Sequence, residues 1–188
     1  MILIFGGAFQ GKKEYVINKY KVPEAQFFDC ENPVICRDSE DRQGVADGTY
    51  AAADEDGAGF PEEAADCRVI DHLEAWILSR IEPETGESEN GPREESGDHG
   101  GPDGQNRARQ DAVSVLRRVI ASGNWENKIV ICTDITRGVV PADAVMRKWR
   151  DQTGRCLQLL AEAADTVVQV FCGMGECVKQ ERRPDGLR

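Results

Sequence analysis

A short apolar run, Ile2-Leu3-Ile4-Phe5, stops at Gly6-Gly7 and continues as Ala8-Phe9-Gln10-Gly11-Lys12-Lys13. This is a G-x-x-x-x-G-K pattern directly after a strand signal and at the opening of a helix signal. Few other features constrain a chain so tightly. A continuous apolar strand of this length is buried on both faces, as strands of a parallel sheet are. Glycines at both ends of the turn let its N–H groups point inward around phosphate oxygens. The helix that follows adds the positive end of its dipole. Gly6, Gly7, Ala8, Phe9, Gln10, Gly11, Lys12 and Lys13 are therefore the candidate nucleotide-binding residues, with Lys12 reaching the outer phosphates. The last position departs from the pattern. A hydroxyl there would be a magnesium ligand, whereas an ammonium replaces part of the metal's charge or simply faces solvent.

The remaining periodicities extend the same plan. Lys12 to Tyr20 reads as a short helix, with Pro23 beyond it, and Ala25 to Asp29 as a second strand. Arg68 to Asp71 is a strand edge, followed by a helix over Leu73 to Ile81. Gln110 to Ser122 is an amphipathic helix with Val113, Leu116, Val119 and Ile120 inward. Lys128 to Thr133 is the strongest strand in the chain. Pro141 opens a helix to about Ala164, Thr166 to Cys172 is another buried strand, and Glu176 to Gln180 an edge strand. Strands alternating with helices give an α/β fold of the P-loop NTPase type, a mainly parallel sheet with helices on both faces. Residues 1–188 are expected to form one domain.

The charge is −11 overall but very uneven. Residues 29–66 hold 12 acids and 2 arginines, and residues 82–106 hold 8 acids and 1 arginine, so the rest of the chain carries about +6. A mildly basic folded part suits a phosphate ligand, while the overall sign argues against nucleic acid or an anionic membrane. Residues 30–67 form a divergent acidic segment without a reliable period. Residues 82–106 read as a disordered Gly/Glu/Pro insertion. The seven cysteines make no CxxC, and with His72 and His99 the only histidines no local zinc set assembles. Cys132 and Cys172 lie in apolar strands, as small hydrophobes. The odd cysteine count and the lack of a signal peptide point to a reducing cytoplasm.

Several passages together resemble the bifunctional adenosylcobinamide kinase/adenosylcobinamide-phosphate guanylyltransferases of cobalamin biosynthesis. Members open on Gly-Gly-Ala-Arg-Ser-Gly-Lys-Ser, which Gly6 to Lys13 matches at all but three positions. A family passage Leu-Asp-Cys-Leu-Thr-Leu-Trp resembles Ile70-Asp71-His72-Leu73-Glu74-Ala75-Trp76. Thr-Asn-Glu-Val-Gly-x-Gly-Ile-Val-Pro is similar to Thr133 to Pro141, which is one residue shorter. Phe-Arg-Asp-x-x-Gly-Arg-x-Asn-Gln-x-Leu-Ala resembles Trp149 to Ala161. The likeness covers Met1–Asp29, Arg68–Ile81 and Gln110–Gln180.

The resemblance implies ATP or GTP as substrate, a cobinamide-type small molecule as acceptor, Mg2+ as cofactor and a homotrimer. It also implies catalytic roles for Lys12 and Asp71, with Asp71 the metal-side acid at a strand end; from the sequence alone Asp71 is equally a helix cap before Leu73. Asp134 has the same two readings. Arg137 is either a phosphate contact or an exposed loop arginine. In the family a histidine in the segment after the second strand accepts GMP covalently, yet residues 30–66 contain none. A nucleophilic imidazole is what that step needs. His72, across that gap, is expected to be a half-buried neutral side chain. The guanylyl-transfer step is therefore expected to be missing. That leaves a family enzyme that retains NTP binding and the kinase step, a catalytically inactive binding or scaffold relative, or an unrelated P-loop kinase of a small molecule.

Overall fold

A computed structural model describes residues 1–32, 59–81 and 111–180. In chain order these form β1 (Ile2–Gly6), α1 (Lys12–Tyr20), β2 (Phe27–Asp29), β3 (Val69–Asp71), α2 (Leu73–Ser79), α3 (Ala112–Ala121), β4 (Ile129–Thr133), α4 (Ala144–Ala163), β5 (Thr166–Phe171) and β6 (Met174–Gln180), with 3₁₀ turns at Glu24–Gln26 and Glu62–Ala65. One sheet runs β2-β3-β4-β1-β5-β6. All neighbours are parallel except β5 and β6, which form an antiparallel hairpin. The expected insertion over residues 82–106 and most of the acidic segment lie outside the described residues.

The alternation of side chains along the strands divides the core in two. Leu3, Ile70, Val130, Cys132 and Val167 face α2, α3 and α4, together with Trp76, Leu116, Cys156 and Leu160. Ile4, Phe27, Val69, Ile129, Ile131, Val168 and Val170 face the other way, onto Val16 of α1 and Val22. Helices thus cover both faces, as a parallel sheet with two apolar sides requires.

The helix ends have local causes. Asp111 caps α3 by accepting from Val113 N at 2.8 Å. Asp143 caps α4 by accepting from Met146 N at 2.8 Å, so α4 begins three residues later than Pro141 suggests. The inward face of α3 centres on Ala112, Val115 and Leu116, with Val113, Val119 and Ile120 only partly covered. Cys172 does not continue β5. It sits exposed in the hairpin turn at φ 51, so it is no buried hydrophobe.

Lys128, at the foot of β4, is buried, and its ammonium donates to the carbonyls of Ala64 (3.0 Å), Ala65 and Cys67. It gathers the C-terminal carbonyls of the second 3₁₀ turn and fixes the chain as it enters β3. Lys128→Met keeps the aliphatic stem and strips those carbonyls of their donor. The expected loss is about 1–3 kcal/mol of unfolding free energy, read as a lower urea midpoint at unchanged m-value.

Candidate active site at the C-terminal rim of the sheet

The phosphate loop leaves β1 through a contact only glycine permits. A Cβ on Gly6 would lie 2.3 Å from the carbonyl oxygen of Val170 on β5. Phe9 and Gly11 then adopt left-handed φ of 57 and 76, and Phe9 is fully exposed. Lys12 is buried and curls back so that Nζ donates to Gly7 O at 2.8 Å. No side chain caps the N-terminus of α1. The loop is fastened on one flank to the β5–β6 turn. Gly173 N donates to Gln10 O at 2.9 Å, and Cys172 N donates to Gln10 Oε1 at 2.7 Å.

Lys13 turns to the opposite flank. Its ammonium stands 5.4 Å from the centroid of the Phe27 ring on β2. It also lies close enough to Asp71 to favour that carboxylate's charged form. Asp71 ends β3, one strand removed from β1, and is buried. Oδ1 accepts from His72 N at 3.0 Å, whereas Oδ2 is buried without a hydrogen-bond partner. Burial raises its pKa against the pull of His72 and Lys13. Asp71 does not cap α2; His72 occupies that position, at φ 52, with no side-chain cap bond.

The surroundings of the His72 ring favour its charged form. Nδ1 lies 2.9 Å from Asp29 Oδ1 at the end of β2, and 3.9 Å from Asp71 Oδ2, while Nε2 is 3.9 Å from Glu31. The hydrogen bond to Asp29 outweighs burial and lifts the ring to about 9. Burial acts to raise Asp29, but His72 and the backbone N–H groups of Glu31 and Asn32 more than offset it, so Asp29 ends lower than usual. The expectation of a neutral histidine fails because Asp29 and Asp71, 42 residues apart in the chain, pair in register on β2 and β3.

Past β4, the Asp134 carboxylate serves its own loop. It accepts from Thr136 N at 3.0 Å and from Arg137 Nε at 3.0 Å. Arg137 itself remains exposed, in line with a loop arginine. Arg150 of α4 donates to the carbonyls of Val139 (3.0 Å) and Thr136, and Gly154 lets Thr136 approach the helix closely. Glu74, absent from the candidates above, is buried and accepts from Thr133 N at 2.8 Å, tying α2 to the end of β4. Its signal was available only as an acid on an otherwise apolar helix face. Asp29 gave no signal, because its partner is distant in sequence; Gln10 stood in the loop motif, but nothing there pointed to its bonds with the β5–β6 turn. Among the described residues no three His, Cys, Asp or Glu side chains assemble into a metal set of their own, and no helix is long and apolar enough to cross a membrane.

The family model described as cobinamide kinase / cobinamide phosphate guanyltransferase matches residues 52–178, more than half of the chain. The chain belongs to this family. Its P-loop NTPase architecture agrees with the α/β sheet described above. The matched stretch contains Asp71, Asp134 and the Gly154-Arg155 turn of α4, while the phosphate loop at Gly6–Lys13 precedes it. A curated relative, the bifunctional adenosylcobalamin biosynthesis protein CobU of Salmonella typhimurium strain LT2, is 36% identical over 74 residues. That match spans 39% of this chain and 40% of the relative.

The paired carboxylate and imidazole make a pH test possible. Because the folded pKa of His72 lies above its ordinary 6.5, the stabilisation it brings is complete below about 6.5 and is lost as pH rises through about 9. Asp29→Asn should move the His72 titration, followed by NMR, down toward the ordinary range and flatten the loss of stability over that window. Identical titration curves in the two proteins would show that Asp29 does not set the charge of the ring.

Proposed function

We propose that this chain binds a nucleoside triphosphate, ATP or GTP, on Gly6–Lys13 and serves the kinase half of its family's chemistry, without the guanylyl-transfer half. The observation that carries this reading is Lys12, a buried ammonium held on a loop carbonyl inside a glycine turn at an uncapped helix start. An incoming phosphate offers that ammonium a stronger, charge-assisted partner than Gly7 O. Asp71 is the acid suited to the metal side. Its buried Oδ2, which makes no hydrogen bond and has His72 Nδ1 at 3.9 Å, fits a cation or a cation-bound water, and Mg2+ there would neutralise charge on the transferring phosphoryl group. The reaction asks little else of the protein. The hydroxyl oxygen of a cobinamide-type acceptor bonds to the γ-phosphorus as the bond to the bridging oxygen breaks; the nucleoside diphosphate leaves and the hydroxyl proton passes to solvent. Lys12 and the loop N–H groups hold the oxygens in place throughout.

Guanylyl transfer requires a nucleophilic imidazole. Residues 30–66 supply none, and His72 is held protonated by Asp29. Labelling with α-phosphate-tagged GTP followed by intact mass measurement should therefore find no stable GMP adduct. The homotrimer implied by the resemblance belongs to this proposal too.

A second reading, a nucleotide-binding or scaffold protein without turnover, is favoured by Lys13. It places an ammonium near Asp71 where working loops place a magnesium-binding hydroxyl. Calorimetry with ATP and GTP, with and without magnesium, separates the readings. Lys12→Ala should abolish binding. Wild-type affinity should depend weakly on magnesium, and Lys13→Ser should make it strongly dependent. Magnesium-dependent phosphoryl transfer by the wild type sinks the second reading; no heat with any nucleotide sinks the first.

A further inference from the structure

The two flanks of the phosphate loop differ in kind. Toward β3 lie the titratable side chains of Lys13, Asp71, Asp29 and His72. Toward β6 lies the hairpin turn, latched to the loop by Gln10 through its carbonyl and its side chain. On the nucleotide reading above, the terminal phosphate points toward the β3 flank, where Asp71 is the acid proposed for the metal side. Its α-phosphate and nucleoside then leave toward the hairpin.

On that second flank the surface is concave. A recess of about 490 Å³ lies between the first two turns of α1 and the hairpin turn, lined by Gly11, Glu14, Tyr15, Asn18, Lys19 and Gly173. Its volume falls within the roughly 300–1,000 Å³ typical of small-molecule clefts. Gly11, the last glycine of the phosphate loop, is part of its wall, so the two sites are continuous. Both lining glycines have positive φ, 76 and 78, and a Cβ on Gly11 would meet Gly173 Cα at 3.3 Å, so the wall is backbone packed on backbone. Tyr15 is held in place from two sides. A Cβ on Gly175 would fall 2.3 Å from its ring, and the Tyr20 ring packs edge-on at 6.4 Å. The Asn18 amide offers a donor and an acceptor, and Glu14 and Lys19 bring one charge of each sign. At the turn, Phe171 and Met174 pair across the hairpin and stay 63% and 69% exposed.

We infer that this recess is a purine-base subsite. Tyr15 provides its aromatic surface and Asn18 hydrogen-bonds the base edge, while Gln10 holds the hairpin wall at a fixed distance from the phosphates. Resting on the nucleotide reading above, it assigns the base a place that the phosphate loop alone does not.

The experiment compares ATP, GTP and inorganic tripolyphosphate by calorimetry on the full chain. Asn18→Trp fills the recess from an exposed helix position, and Tyr15→Leu removes the aromatic surface. Circular dichroism and thermal unfolding check that each variant folds. Each should weaken ATP, GTP or both by about tenfold or more, the size of a lost base–aromatic contact. Tripolyphosphate binding should stay as in the wild type. Nucleotide affinities unchanged in Asn18→Trp overturn the inference, as does an equal loss for tripolyphosphate, which would locate the effect in the loop. Tripolyphosphate binding that survives Lys12→Ala is a different failure: it overturns the phosphate-site reading itself.

Discussion

Everything at the C-terminal rim of the sheet depends on how closely β1 and β5 approach at their ends. β1 is paired on both sides, with β4 from Ile2 to Gly6 and with β5 from Ile2 to Phe5. At the next step the β5 backbone closes on Gly6, leaving no room for a side chain. Asp134 N donating to Gly6 O at 2.8 Å holds the other side. The strand is thus gripped up to the residue where the chain must turn, and the loop inherits a fixed starting direction. An alanine at this point would have to displace backbone, not a side-chain tip, and overpacking of this kind is costly.

Much of the fold could be read from the chain because its strands are apolar on both faces and its helices amphipathic. Ile2–Phe5 and Lys128–Thr133 were plain strands for that reason, and the glycine turn gave the site its centre. Boundaries erred where a side-chain cap decides them. Asp143, not Pro141, starts α4, and a left-handed turn at Cys172 ends β5 before its apolar run is exhausted. The site was less legible. Asp71 and Lys12 stood out by motif, but the charge on His72 depends on Asp29. Only the register of two parallel strands brings those residues together.

That register also explains the unusual electrostatics of the rim. β2 and β3 each end in an aspartate, so two carboxylates converge beside a partly buried imidazole. Left unpaired, such acids would repel each other and resist ionisation; His72 and Lys13 supply positive charge from the protein itself. A metal ion arriving here meets a neighbourhood already partly neutralised. If the proposed metal role of Asp71 holds, the balance among Lys13, His72, Asp29 and Asp71 would set how much of the charge a divalent ion is left to neutralise.

The latch at Gln10 joins two parts of the molecule that a sheet would ordinarily keep apart. β6 is the outermost strand, exposed along nearly its whole length, and an outer strand is where a sheet can accept another partner. Its turn is bonded directly to the loop that curls around Lys12. Suppose pairing along β6 stiffens that turn and so changes the loop's affinity for phosphate by some factor. Thermodynamic reciprocity then requires phosphate to change the affinity of β6 for its partner by the same factor. On that supposition, the edge of this sheet and the proposed phosphate site would share one free-energy cycle.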